Sequence, residues 1–164
     1  MAKDVLGLDV GGVILDFVAY EGTDVAFSGD KYLETPAVKD SIESIALLNK
    51  GKFKDRIFLI SRFKYGPERL IEWLRHERFF ERTGIPESHF RGCAERKDKA
   101  AIAKKLSVTH FVDDRTEVLS YLASSVPHLY LFQCLDDDRK AYAFKIPQLR
   151  FFEDWKSLAA ELEK

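Results

Sequence analysis

The chain reads as an α/β protein with a Rossmann-like, mostly parallel sheet covered by helices on both faces. Three observations lead there. Short, continuously apolar runs such as Ile57-Phe58-Leu59-Ile60 and Leu129-Tyr130-Leu131-Phe132 have the composition of strands buried on both sides. Segments with helical periodicity separate these runs along the whole length. No internal repeat, low-complexity stretch or linker divides the 164 residues, so a single domain spanning 1–164 is expected.

The first strand is Val5-Leu6-Gly7-Leu8, too short for a helix before Asp9 and the glycines Gly11-Gly12 turn the backbone. From Ile14 to Thr35 no period holds. Phe17–Tyr20 and Val25–Phe27, separated by Glu21-Gly22-Thr23-Asp24, are candidates for a hairpin over the end of the first strand. Thr35 as N-cap, Pro36 at the first position and Gly51 after the last turn predict a helix carrying Val38, Ile42, Ile45 and Ala46. The second strand, Ile57–Ile60, ends at Ser61-Arg62. Gly66-Pro67 opens a helix through Leu70, Trp73 and Leu74 that runs on to Phe79-Phe80 and breaks at Gly84-Ile85-Pro86.

A third strand over His89–Cys93 and a helix from Asp98 to Leu106 follow. Thr109–Val112 forms a fourth strand ending in Asp113-Asp114. Glu117–Ala123 is helical, and Leu129–Phe132 is the fifth strand. Asp136-Asp137-Asp138-Arg139-Lys140 reads as a solvated loop, the aromatic pairs Phe79-Phe80 and Phe151-Phe152 as core, and Asp154 as the cap of a last helix through Trp155, Leu158 and Leu162.

Bulk properties exclude several classes. A hydrophobic fraction of 46% with 32% charged residues is that of a soluble globular protein, and a net charge of −1 offers no basic field for nucleic acid or an anionic membrane. No apolar run is long enough to span a bilayer and the N-terminus lacks a signal-peptide pattern, so the cytoplasm is the expected compartment. Cys93 and Cys134 share no motif with histidine and are expected as reduced thiols; His110, inside a strand, is expected as a packed side chain.

The strand ends carry the chemistry, because ligands of open α/β sheets bind beyond the carboxyl ends of the strands. Those ends deliver Asp9, Ser61 and Asp113-Asp114, with a lysine near residue 99 between the last two. In the helix that begins at Asp98, Lys99 shares the face of Ile102 and Leu106, and Lys97 precedes it; Lys99 is the better fit and Lys97 the alternative.

This order resembles the haloacid dehalogenase (HAD) superfamily of phosphohydrolases from Val5 to Phe132. The resembling motifs are Asp9-Val10-Gly11-Gly12-Val13, Ser61, Lys99 and Asp113-Asp114. The resemblance implies five strands in the order 3-2-1-4-5 and a Mg²⁺-dependent phosphatase working through an aspartyl-phosphate on Asp9. It implies Mg²⁺ held by Asp9, the Gly11 carbonyl and Asp114, with Asp113 in support. Ser61, Lys99 and the backbone N–H groups of Val10 and Gly11 would cradle the phosphoryl group. Arg62 and Arg115, beside motif residues, are candidates for substrate anions.

The pattern departs at Gly11, where most phosphatases of the superfamily carry a second aspartate that protonates the leaving alcohol. Three explanations are open. Another acid replaces it, Asp16 being nearest, with Glu21 or Asp24 in the hairpin as others. The leaving group needs little protonation, as in an acyl or aryl phosphate. Or the chain is a weak or inactive relative that binds a phosphorylated ligand or protein partner. Neither interval in which relatives insert a cap domain has room for one, so an open site is expected. Its substrate is a phosphorylated small molecule or macromolecule.

Overall fold

The computed structural model describes residues 2–134 and 136–164. Its sheet has six strands: β1 (Leu6–Leu8), β2 (Ile57–Arg62), β3 (Phe90–Cys93), β4 (His110–Asp113), β5 (His128–Phe132) and β6 (Leu149–Phe152). They run in the order β3-β2-β1-β4-β5-β6, and every pairing is parallel. The expected order of the first five strands therefore holds, and the five-strand count is corrected by one. Phe151-Phe152, expected as core, belong to the added edge strand, where Phe151 pairs with Leu131 and Phe152 with Phe132.

Two layers of helix cover this sheet. Alternate strand residues Leu6, Leu8, Leu59, Val112 and Phe132 pack into one core with Ile45 and Leu48 of α1 (Ser41–Lys50), Trp73 of α2 (Pro67–His76), Phe79 of α3 (Phe79–Thr83) and Leu158 of α7 (Trp155–Leu162). The opposite face, with Phe111, Leu129 and Leu131, packs against Ala103 of α4 (Asp98–Lys105) and Val118, Leu119 and Leu122 of α5 (Thr116–Leu122). Period-two alternation along each strand divides the apolar residues between these cores. The middle of β1 must be glycine for a packing reason: a Cβ on Gly7 would stand 2.6 Å from Cδ2 of Phe111. Among the described residues no helix is long and apolar enough to cross a membrane.

Three local expectations are corrected. The helix predicted from Thr35 begins at Ser41, after Asp40 takes a left-handed conformation at φ 63°. The Thr35 hydroxyl instead donates to Val25 O, while Asp16 N donates to Pro36 O at 3.0 Å and Val38 N to Ile14 O at 2.7 Å. Buried backbone of the loop after β1 needs partners, and this extended segment supplies them. The hairpin over 17–27 does not form. Successive turns close on themselves through Thr23 N to Tyr20 O and Ala26 N to Thr23 O, and Arg69 donates to the carbonyls of Phe27 and Gly29. The acidic run around Asp137 is helical, as α6 (Asp136–Ala141), rather than a loop.

Other signals hold. Asp154 caps α7 by accepting from Ser157 N at 2.8 Å, Pro67 opens α2, and Gly84 ends α3 in the left-handed region, but the single helix expected from Pro67 through Phe80 is two, broken where Arg78 turns left-handed at φ 55°. The fully buried Trp155 at the start of α7 donates its indole N–H to Val13 O at 2.7 Å, joining the last helix to the loop after β1.

Candidate active site

Parallel pairing aligns the ends of β1, β2 and β4, and three polar side chains meet there. Asp9 follows β1, with its backbone N–H bonded to Val112 O at 3.0 Å; Ser61 is the penultimate residue of β2, and Asp113 closes β4. Lys99 reaches them from the first turn of α4, placing Nζ 3.0 Å from Asp9 Oδ1 and 2.8 Å from Asp113 Oδ2. Asp9 Oδ1 also accepts from Val10 N at 2.9 Å and from Ser61 Oγ at 3.2 Å. Three donors on one oxygen hold the carboxylate in a single orientation and leave Oδ2 outside these bonds. Asp113 Oδ1 accepts from Arg115 N at 3.0 Å, so neither of its oxygens is idle.

Burial and partners separate the two lysines. Lys99 is 2% exposed, whereas Lys97 is exposed and paired with Glu95 at 3.3 Å. Burial opposes the charge of Lys99, but Asp113 and Asp9 outweigh it and raise its pKa. Burial, then Asp9, push Asp113 up to about 6 against the pull of Lys99; burial and the charges of Asp9 and Asp113 push Asp114 well above the carboxylate range.

Asp9, Asp113 and Asp114 offer ligand oxygens within 4.8 Å of one another. A hard, oxygen-seeking divalent cation such as Mg²⁺ fits this set: three crowded carboxylates share one buried ammonium group, and a second positive charge would relieve their repulsion. Gly12 makes the arrangement sterically feasible, since at φ 80° a Cβ would fall 2.1 Å from Asp114 Oδ2.

These groups line a cavity of about 330 Å³. Gly11, Arg62 and Arg115 are also on its wall; both arginines are exposed, and Arg62 Nε donates to Ala94 O at 3.3 Å. Val10 is buried behind Asp9, with its N–H engaged by that carboxylate rather than facing the cavity. Asp16 is not brought to the site. Its Oδ1 accepts from Ala19 N at 3.1 Å, closing a turn, and it is not among the lining residues. Asp24 pairs with Lys31 at 3.2 Å; of the three acids considered as replacements, Glu21 lines the cavity.

Several lining residues went unassigned in the sequence. Arg96, in the turn before α4, lies on the wall and pairs with Glu117 at 3.1 Å; no helical spacing marked it in the sequence. Phe17, Phe27 and Tyr65 form an aromatic side of the cavity with no periodicity to announce them. Asp138 lines it too, accepting from Cys134 Sγ and Thr116 N. Burial and that acid push the Cys134 thiol up, and burial pushes Cys93 up, consistent with two unreactive free thiols.

No protein-family model matches the sequence, and no curated protein matches it. Solved structures do. D,D-heptose 1,7-bisphosphate phosphatase from B. bronchiseptica, in complex with magnesium and phosphate, aligns over 98% of both chains with a TM-score of 0.66 at 19% identity. The enzyme of the same name from Burkholderia thailandensis aligns over 97% of both with a TM-score of 0.59, also at 19% identity. A haloacid dehalogenase-like hydrolase from Burkholderia xenovorans covers 98% of this chain and 99% of its own, with a TM-score of 0.62 at 9% identity. The chain has the haloacid dehalogenase fold. In that fold as this chain builds it, the loop after β1, the Ser61 strand end and the acidic pair occupy neighbouring strand ends, and the lysine comes from the helix layer.

Proposed function

We propose that the chain is a Mg²⁺-dependent phosphohydrolase whose nucleophile is Asp9, working in an open site without a cap domain. The observation that carries this reading is the buried Lys99 ammonium group held between Asp9 and Asp113. A lysine buried between two acids, with a third acid beside them, suits the binding of a dianionic phosphate together with a divalent cation. Similarity to phosphatases, one of them in complex with magnesium and phosphate, supports the same reading.

The residues divide the work by charge and position. Asp9, oriented by Val10 N–H and Ser61, attacks phosphorus and forms an aspartyl-phosphate that water later cleaves. Lys99 neutralises the approach of two anions and Ser61 turns its hydroxyl to a phosphoryl oxygen. Arg62 and Arg115 on the wall attract the substrate dianion. Asp9, Asp114 and the Gly11 carbonyl would hold Mg²⁺, with Asp113 in support, and the ion would supply charge neutralisation at the phosphoryl oxygens. Asp16 has no part in this scheme, because its carboxylate closes a turn outside the cavity.

The test is phosphate release from acetyl phosphate and p-nitrophenyl phosphate with Mg²⁺, wild type against Asp9→Asn. Turnover lost in the variant is expected. Release that survives the substitution, or a wild type no faster than the blank on both compounds, overturns the assignment.

A further inference from the structure

The part of the cavity beside Gly11 is aromatic rather than acidic. A Cβ on Gly11 would lie 2.0 Å from Cε2 of Phe17 and 2.7 Å from its Cζ, so the Phe17 ring fills the space in which a side chain at position 11 would stand. Phe17 packs edge-on against Phe27 with ring centres 5.5 Å apart, and Phe27 packs edge-on against Tyr65 at 6.0 Å. All three line the cavity that contains Asp9. Phe17 and Tyr65 remain 38% and 41% exposed, large open areas for aromatic side chains that already have partners.

Building on the phosphohydrolase reading above, we infer that the substrate is an aryl phosphate monoester, whose ring lies on the Phe17–Phe27–Tyr65 wall while its phosphate meets Asp9, Ser61 and Lys99. Recognition and chemistry then agree. An alkyl phosphate would expel an alkoxide about as basic as hydroxide, whose conjugate acid has a pKa near 15.7, and needs a positioned acid. A phenol has a pKa of about 10, so its anion leaves without one. As Asp9 bonds to phosphorus, the P–O(aryl) bond breaks and its electron pair stays on the phenolate oxygen, which takes a proton from solvent. Water then attacks the aspartyl-phosphate and loses one proton to solvent. The products are a phenol, orthophosphate and the Asp9 carboxylate.

Glu21 is the rival source of an acid, being an exposed carboxylate on the same wall. Turnover is therefore measured with Mg²⁺ on substituted phenyl phosphates, a phosphotyrosine peptide, β-glycerophosphate and acetyl phosphate, in wild type, Phe17→Ala, Tyr65→Ala and Glu21→Gln. We expect kcat/KM at least about 100-fold higher for phenyl phosphate than for β-glycerophosphate, rising as the phenol becomes more acidic. The phenyl-to-acetyl phosphate ratio should fall about three- to tenfold in Phe17→Ala or Tyr65→Ala. Turnover of the peptide or of the free aryl ester supports the inference and distinguishes a protein source from a small molecule.

Alkyl turnover within tenfold of aryl, lowered in Glu21→Gln, overturns it, as does a phenyl-to-acetyl ratio unmoved in both aromatic variants. Should no ester or acetyl phosphate be hydrolysed, the phosphohydrolase reading fails, and calorimetric binding with Mg²⁺ decides the aromatic inference separately. Phenylphosphonate binding at least about tenfold tighter than methylphosphonate supports it; equal affinities overturn it.

Discussion

Replacing Gly11 by aspartate would place a carboxylic acid two residues after Asp9, and the geometry says what else must move. The backbone at Gly11 is not in the left-handed region, so the barrier to a side chain is the Phe17 ring, 2.0 Å from the new Cβ where ordinary contact begins near 3.4 Å. The ring must retreat by roughly 1.5 Å, giving up its edge contact with Phe27 at a cost of about 0.5–1.5 kcal/mol. Overpacking adds about 1–3 kcal/mol. Gly11→Asp alone should therefore unfold at lower denaturant than wild type. Gly11→Asp with Phe17→Ala removes the overlap, and its aspartate can face the cavity. A positioned general acid contributes on the order of 10²- to 10⁴-fold, so kcat/KM for β-glycerophosphate should rise by at least about 100-fold in the double variant. Steady-state phosphate release with Mg²⁺ measures it, alongside circular dichroism to verify folding. A folded double variant whose alkyl turnover stays within threefold of wild type would refute the claim that position 11 limits the chemistry.

Four further outcomes follow from the same geometry. Lys99→Met strands Asp9 opposite Asp113 in a buried setting and should cost about 3–5 kcal/mol in urea unfolding, against less than about 0.5 kcal/mol for the exposed Lys97→Met; equal effects would reverse the choice of lysine. Mg²⁺ at 100 times its Kd should stabilise the fold by about 2.7 kcal/mol, raising Tm by about 5–10 °C in a chain of this size, and Asp114→Asn should remove the rise. Gly12→Ala forces a Cβ onto Asp114 at φ 80° and should weaken Mg²⁺ binding by about tenfold or more in a calorimetric titration. Burial, then His128 and Lys52, hold His110 down to about 4 from 6.5. The unfolded chain then takes the proton first, so this contribution is present above pH 6.5 and is lost as pH falls toward 4; allowing for solvent screening it is about 1–2 kcal/mol, and the wild-type minus His110→Gln stability difference should shrink by that amount over that range.

The parts of the molecule that could be read from sequence are those where a local pattern has one physical solution. A short apolar run followed by a polar residue and a turn is a strand end, which is why Asp9, Ser61 and Asp113 could be found and why they now stand together. Lys99 was legible because its helix face is set by its spacing from Ile102 and Leu106. Other elements depend on partners far away. The edge strand Leu149–Phe152 contains an arginine among large apolar residues, and only its pairing with β5 makes it a strand. Thr35-Pro36 carries helix-start chemistry, but Asp16 and Ile14 compete for that backbone and win. Phe17 gave no signal, since its contact with Gly11 relates the loop after β1 to itself through a fold of turns, with no period to count.

The bond from Trp155 to Val13 has a consequence for how the protein is made. Its partners are separated by 142 positions, so the ribosome delivers the indole roughly 7–30 s after the carbonyl that receives it. Until then the turn after β1 has a polar group destined for a dry interior and no donor to meet it. The nascent chain can thus assemble most of its sheet while the loop that carries Asp9 is still incompletely supported. Under the proposed function, phosphate-binding competence should emerge late in synthesis, with the docking of the final helix.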